Sequence, residues 1–364
     1  MELDKLLDYV EEQQNKTFTG IPLGFNRYSS ILPSISKGSS YVILAGAGVG
    51  KTAFTIDKFL MTPVRFAYNN PNLINLHIDY FDLEETPQRH DLRILSNLAY
   101  RELNKEFSIN DFNNTKGNKL LLNKTSELKP LQSIVDYYNK VVSTYYVKSP
   151  SLIKKKILES IANLKKQGVN IKDENFYYIV IIDNLKFVRR DSGHNSDKQA
   201  IDDLCLNILQ ELRQEYNIIP VVLQHEAEDN DDYVINIKGD IIDNKLKPSL
   251  KKLGVSKYTA DPATHVLGLM NCAKFGIDTY PKNGGYNIKL LQDNIRILIP
   301  LKMRDGGEGQ EMALHFKGNV SAVEELPHIS EFIKDNSLYN KYITITPAQQ
   351  NNAGTIKPTF KITI

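Results

Sequence analysis

Residues Ala45 to Phe54 read "AGAGVGKTAF". The common phosphate-binding pattern is G-x-x-x-x-G-K-[ST]. Here Ala45 stands at its first position, followed by Gly46, Ala47, Gly48, Val49, Gly50, Lys51, Thr52 and then Ala53. An apolar strand leads into the run and a helical pattern leads out of it. Backbone N–H groups at such a helix start converge on an anion, with the positive end of the helix dipole behind them. The glycines let the backbone curl without Cβ clashes, and the first position needs no glycine unless it requires a positive φ. Lys51 has the reach for the β- and γ-phosphates of a nucleotide, and the Thr52 hydroxyl suits Mg²⁺.

Such a loop requires a second carboxylate for the metal. "FYYIVIIDNL" supplies one: a buried strand ending in Asp183, which would lie beside the loop at the carboxyl edge of a parallel sheet. Hydrolysis also requires a group that orients and deprotonates water. "HIDYFDLEET" offers Asp82, Glu84 and Glu85 just past another strand, and the residue types alone do not choose among them. Gln224, at the end of "IIPVVLQ", is a polar group placed to sense the terminal phosphate.

The elements that must hold these residues alternate. Strand patterns within 41–44, 72–85, 176–185 and 217–224 are separated by helical ones. That order predicts an α/β fold with a mostly parallel central sheet flanked by helices. The helix after the loop is expected to stop near Pro63. A further helix begins at Thr86–Pro87, and a Lys-rich one runs from Ser149 to Gly168. Residues 106–150 otherwise look polar and irregular, with "NDFNNTKGNK" the expected mobile loop. "THVLGLMN", "NIRILIPLKMR" and "EMALHFKG" add three strands, and the pattern fades from about Glu325.

Composition narrows the class. The chain has 364 residues, 41% hydrophobic and 24% charged, with a net charge of +2. That allows one large domain with extensions, and any nucleic-acid partner would have to be held by local basic loops rather than by overall charge. Two cysteines, Cys205 and Cys272, stand far apart, which argues against a zinc site or disulfide framework. No apolar run approaches the ~18 residues of a membrane span. A cytoplasmic protein is expected. The abundance of Asn, Lys and Ile and the lack of Trp fit an AT-rich genome, viral or bacterial.

Four motifs, "AGAGVGKTAF", "DLEETPQRHDLRIL", "IVIIDNLKFV" and "IIPVVLQHE", stand in one order, followed by "IPLKMRDGG". Together they resemble the ATPase domain of the DnaB-type replicative helicases, the hexameric RecA-like P-loop motors of superfamily 4. The lead-in "TGIPLGFNRYSSILPSISKG" is similar to that family's, and the family's loop commonly begins with Ala and continues G-K-T-A-F. The resemblance covers roughly residues 19–320. It implies a RecA-like P-loop NTPase that uses ATP and Mg²⁺. Lys51 and Thr52 would bind phosphate and metal, and Asp183 would be the Walker B carboxylate. Glu84 would be the catalytic base and Gln224 the sensor. Lys302 and Arg304 match a K-x-R element that reaches the neighbouring subunit's γ-phosphate. The chain departs from the family at "VVLQHEAEDND", and Asn184 and Lys186 stand where Tyr and Gln are frequent.

The same resemblance organises the chain as a linker-like helix (1–18), an ATPase domain (19–324) and a C-terminal tail (325–364). Loops after two strands would face a central channel holding single-stranded DNA. The first carries Lys186, Arg189 and Arg190; the second carries Lys245, Lys247, Lys251 and Lys252. Basic loop residues suit sequence-independent backbone contacts, although neither loop shows an aromatic stacking platform. The expected assembly is a homohexamer, with a primase or loader as further partners and no membrane. The competing expectation is a RecA-like DNA-dependent ATPase that does not unwind.

Overall fold

Short β-branched and aromatic runs build a nine-stranded sheet among the described residues. Its strands are β1 (Tyr41–Ala45), β2 (Asn75–Asp82), β3 (Val142–Tyr145), β4 (Phe176–Asp183) and β5 (Ile218–His225), then β6 (His265–Met270), β7 (Ile295–Met303), β8 (Met312–Lys317) and β9 (Ala322–Glu325). They lie in the order β9-β8-β7-β6-β1-β5-β4-β2-β3. All pairings from β6 to β3 are parallel, whereas β7, β8 and β9 continue the sheet antiparallel. The computed structural model describes residues 18–112, 125–227, 246–282, 284–304 and 306–343, with Leu7 and Glu11 before them. Apart from those two residues, the expected helix at 2–14 lies outside the described residues. So do most of the loop expected at 110–119, Lys245 and the chain beyond 343.

β1, β4, β5 and β6 are buried on both faces, which is why they read as mostly apolar runs. Side chains still alternate between two cores. Tyr41, Ile43 and Ala45 join one core with Ile179, Ile181, Val221 and Leu223. Val42 and Leu44 join the other with Val180, Ile182 and Val222. The first core also holds Val49, Ala53 and Phe54, so it is the face on which the glycine-rich loop and its helix lie.

Pro63 does not stop that helix. Lys51–Thr55 continues through a π-helical stretch, Ile56–Met61, into Thr62–Asn69. The wider turn absorbs a residue with no N–H to give, and the Thr62 hydroxyl donates to the Asp57 carbonyl at 2.7 Å. Asp57, fully buried on this stretch, accepts from Asn97, from Arg101 and from the Val323 N–H. Burial pushes its pKa up, but Lys58 and Arg101 more than offset this and hold it below the ordinary carboxylate value. The loop's helix is thereby anchored to β9.

Two other expectations change. The stretch expected to be irregular contains a helix, Gln132–Val141, and the edge strand β3. Ile134, Tyr138 and Val141 form a narrow buried face that the surrounding polar residues obscure. Beyond Glu325 the chain packs back on the antiparallel strands through helices Ile329–Lys334 and Tyr339–Tyr342. Leu326, Phe332, Tyr339 and Tyr342 bury against Ile295 and Ile297. Elements this short carry no legible helical period.

Candidate active site

β1 ends at Ala45, whose side chain is fully buried and whose backbone remains that of a strand, so the first position requires no glycine. The positive φ values fall later, at Gly48 (70°) and Gly50 (106°). A Cβ at Gly50 would also come within 2.3 Å of the Phe316 ring, so only glycine fits there.

Lys51 lies back along the loop. Its Nζ donates to the carbonyls of Ala45 (2.9 Å) and Gly46 (3.2 Å) and stands 3.2 Å from Nδ1 of His225. Burial pulls its pKa down to about 8, against the raising influence of Asp183, Glu84 and Glu226. A polyphosphate would hold the lysine charged, so above about pH 8 binding must take up a proton. Through this lysine, nucleotide affinity is therefore expected to fall as pH rises beyond about 8. Titrations with a fluorescent nucleotide analogue across this range check the sign. Affinity that rose with pH above about 8 would show that Lys51 is not the phosphate's cation.

Asp183 closes β4 and is buried. Its Oδ2 accepts from the Tyr80 hydroxyl at 2.8 Å, while Oδ1 makes no hydrogen bond among the described residues. Burial pushes its pKa up to about 7. Asp82 and Glu84 add to the rise, and the Tyr80 and Thr52 hydroxyls work against it. A buried carboxylate oxygen left over beside a threonine hydroxyl fits the oxygen-donor set of a hard divalent cation, so Asp183 and Thr52 suit Mg²⁺.

The turn after β2 separates Glu84 from Glu85. Asp82 Oδ1 accepts from the N–H groups of Glu84 (3.1 Å) and Glu85 (2.7 Å), which fixes the turn. Glu85 then faces away, held by Arg93 through two contacts of 2.7 and 2.6 Å and by Arg89 at 3.0 Å. Glu84 is exposed and accepts from Asn184 Nδ2 at 2.7 Å. Asn184 Nδ2 also lies 3.3 Å from His225 Nε2. Glu84, Asn184, His225 and Lys51 thus form a connected row across the ends of β2, β4, β5 and β1.

Gln224 is not part of that row. By strand alternation it lies on the opposite face, where its amide donates to the Ser256 carbonyl at 2.7 Å and accepts from the Thr259 hydroxyl. His225, paired in register with Ala45, is the strand-end side chain that faces the loop. A neutral imidazole has one donor and one acceptor nitrogen, so it cannot accept from both Lys51 and Asn184. Drawing Lys51 onto a phosphate would take its contact away from Nδ1.

Lys302 and Arg304 lie at the other edge of the sheet. Met303 pairs with His265, which pairs with Tyr41, the residue at the start of β1. Four strand steps separate that level from Ala45, roughly 13 Å. The Lys302 ammonium donates to the carbonyls of Ala260 and Asp261, both at 2.9 Å, while Arg304 is exposed. Neither is brought to its own chain's loop.

The basic loops leave the ends of β4 and β5, adjacent strands on the loop side. Lys186, Arg189, Arg190 and Lys251 are exposed. Arg189 pairs with Asp197 at 3.3 Å, and Arg190 donates to the Asn195 carbonyl at 3.0 Å. Lys252 sits beside Lys251 on the short turn Leu250–Lys252. Lys247 is engaged by Glu311 at 2.6 Å, so it is less available for a ligand than its sequence context suggests. Just past the second loop, Tyr258 is 52% exposed, with the Lys198 ammonium 5.8 Å from its ring centre.

Sequence reasoning also missed Arg296. This fully buried side chain donates from Nε to the Val49 carbonyl at 2.6 Å. It pairs with Asp293 at 2.9 Å and lies 4.1 Å over the Phe316 ring, the same ring that touches Gly50. The antiparallel strands thereby brace the phosphate loop from behind. Arg296→Met keeps most of the volume but removes the donor to Val49. It is expected to weaken nucleotide binding about tenfold, the factor for one charge-assisted hydrogen bond, in an equilibrium titration. Unchanged affinity would mean that the loop keeps its shape unaided.

No protein-family model and no curated protein sequence matches the chain. Among solved structures, a helicase ATPase domain superposes with a TM-score of 0.65 at 16% identity, covering 90% of this chain and 99% of that one. A DnaB-like replicative helicase, described with its interactions with primase, gives 0.64 at 18% identity over 88% of this chain and 68% of its own. The chain has the RecA-like ATPase fold of these proteins.

Proposed function

We propose that this protein is an ATP-driven motor of the replicative-helicase type, a homohexamer that moves along single-stranded DNA and separates duplex. The observation that carries the proposal is the row at the sheet edge: Lys51, Thr52 and Asp183 at the loop, with Glu84 opposite and His225 between. In the mechanism, Lys51 leaves the Ala45 and Gly46 carbonyls to neutralise charge on the terminal phosphates. The Gly46–Thr52 amides cradle the phosphates, and Glu84 orients the attacking water and takes its proton. Thr52 and Asp183 would hold Mg²⁺, which would supply positive charge to the phosphates. Arg304, too far from its own loop, would complete the site of the adjacent subunit, so that hydrolysis depends on ring geometry.

Lys186, Arg189, Arg190, Lys251 and Lys252 would contact the DNA backbone, with Lys247 once Glu311 releases it and Tyr258 as a base platform. The likeness to a helicase described with primase motivates a primase or loader as partner. Cytoplasmic work, in a host cell if the source is viral, belongs to the same proposal. Electron microscopy with a non-hydrolysable ATP analogue and single-stranded DNA, together with strand displacement from a forked duplex, tests the reading. A six-membered ring around the strand and ATP-dependent displacement are expected. DNA-dependent turnover with filaments and no displacement would favour the non-unwinding ATPase instead.

A further inference from the structure

Asn184 connects three things that the proposed cycle must coordinate. Its side chain is 1% exposed, and its Oδ1 accepts from the Lys186 N–H at 2.9 Å, capping the short turn Leu185–Phe187. An amide has one oxygen, so this cap commits the nitrogen to the other side. There it donates to Glu84 Oε2 at 2.7 Å and lies 3.3 Å from His225 Nε2. One buried side chain thus joins the carboxylate proposed as the base, the residue facing the phosphate lysine, and the first turn of the basic loop.

We infer that Asn184 is a positioning residue that restrains Glu84 until the loop beginning at Lys186 is engaged. Donation from the amide holds the carboxylate to Asn184, away from a water at the terminal phosphate. Anything that reseats the 185–187 turn moves the Lys186 N–H donor that orients the amide, and so releases Glu84. The exposed Lys186, Arg189 and Arg190 place a polyanion's grip on that turn. The inference rests on the proposed ATPase reading and adds the coupling between strand and chemistry. It gives a physical reason for single-stranded DNA to stimulate turnover: the loop that grips the strand also holds the cap that fixes the amide.

The test compares steady-state ATP turnover without and with single-stranded oligonucleotide for wild type, Asn184→Ala and Asn184→Ser. Serine can still cap the Lys186 N–H but is too short to reach Glu84. Both variants are expected to raise the DNA-free rate about tenfold, the factor one hydrogen bond to a charged group carries, while the stimulated rate moves little. The ratio of stimulated to unstimulated turnover therefore falls. A residue that merely supports the fold would lower both rates together and leave the ratio alone, and that result overturns the inference. Fluorescent-nucleotide affinity and thermal unfolding establish that each variant is folded, and the serine variant stands if the alanine one is not. A wild-type rate that DNA leaves unchanged would overturn the proposed function and this inference together. A stimulated wild type alongside variants of unaltered ratio overturns the inference alone.

Discussion

Lys51→Ala is expected to abolish ATP turnover, with a loss on the order of 10²–10³-fold or more. The lysine's ammonium is the cation that the structure places within the loop itself, held by the Ala45 and Gly46 carbonyls. Removing it leaves the terminal phosphates facing backbone amides without a compensating full charge. The loss should appear in both binding and chemistry, because the ammonium meets the phosphates in the ground state and again as charge shifts in transfer. The fold should survive the change. A buried ammonium is costly to desolvate, as its lowered pKa shows, so its removal takes away a penalty along with two hydrogen bonds. Thermal unfolding of the variant is expected to stay within a few degrees of wild type. Residual turnover near the wild-type rate would mean that hydrolysis occurs elsewhere in the preparation.

Glu84→Gln should separate binding from chemistry. Glutamine keeps an oxygen to accept from Asn184, so the turn after β2 and the row of side chains are retained. What is lost is the capacity to take a proton from water, with an expected fall of about 10²–10⁴-fold in single-turnover hydrolysis. Nucleotide affinity should change by less than about threefold, since Glu84 does not hold phosphate. Glu85→Gln is the control. Its carboxylate is engaged by Arg93 and Arg89, so that substitution should cost some thermal stability and leave the hydrolysis rate nearly intact. The reverse pattern, with Glu85→Gln inactive and Glu84→Gln active, would move the base by one residue.

Much of this site is legible in the sequence because its parts are local. A strand, a glycine-rich turn and a helix start are consecutive, and Asp183 ends a run whose burial is written in its composition. Side-chain parity at a strand end is harder to read. "VVLQHE" offers Gln224, His225 and Glu226, and only the register of β5 against β1 decides that His225 faces the loop while Gln224 turns to Ser256 and Thr259. Contacts between distant segments leave no local trace. Arg296 meets Val49 across 247 positions, and Asn184 meets Glu84 across 100. The helix limit expected at Pro63 fails because a π-helical stretch accommodates the proline, which no propensity scale anticipates. The aromatic helices after Glu325 are too short for a period to emerge. They bury large rings against strands contributed from elsewhere in the chain.

Two residues of the row also stand at the heads of the basic loops. Asn184 stands at the head of the first basic loop and His225 at the head of the second, and the two side chains meet between Glu84 and Lys51. Two residues far apart in the sequence are, in three dimensions, one contact. That contact is where loop engagement and phosphate occupancy would be brought together.

Steady-state ATP turnover by the purified wild-type chain, without and with a single-stranded oligonucleotide, tests the central claim most directly. The account predicts Mg²⁺-dependent hydrolysis that single-stranded DNA accelerates severalfold or more and that Lys51→Ala eliminates. Failure to hydrolyse ATP under any of these conditions, or hydrolysis that Lys51→Ala leaves intact, would contradict it.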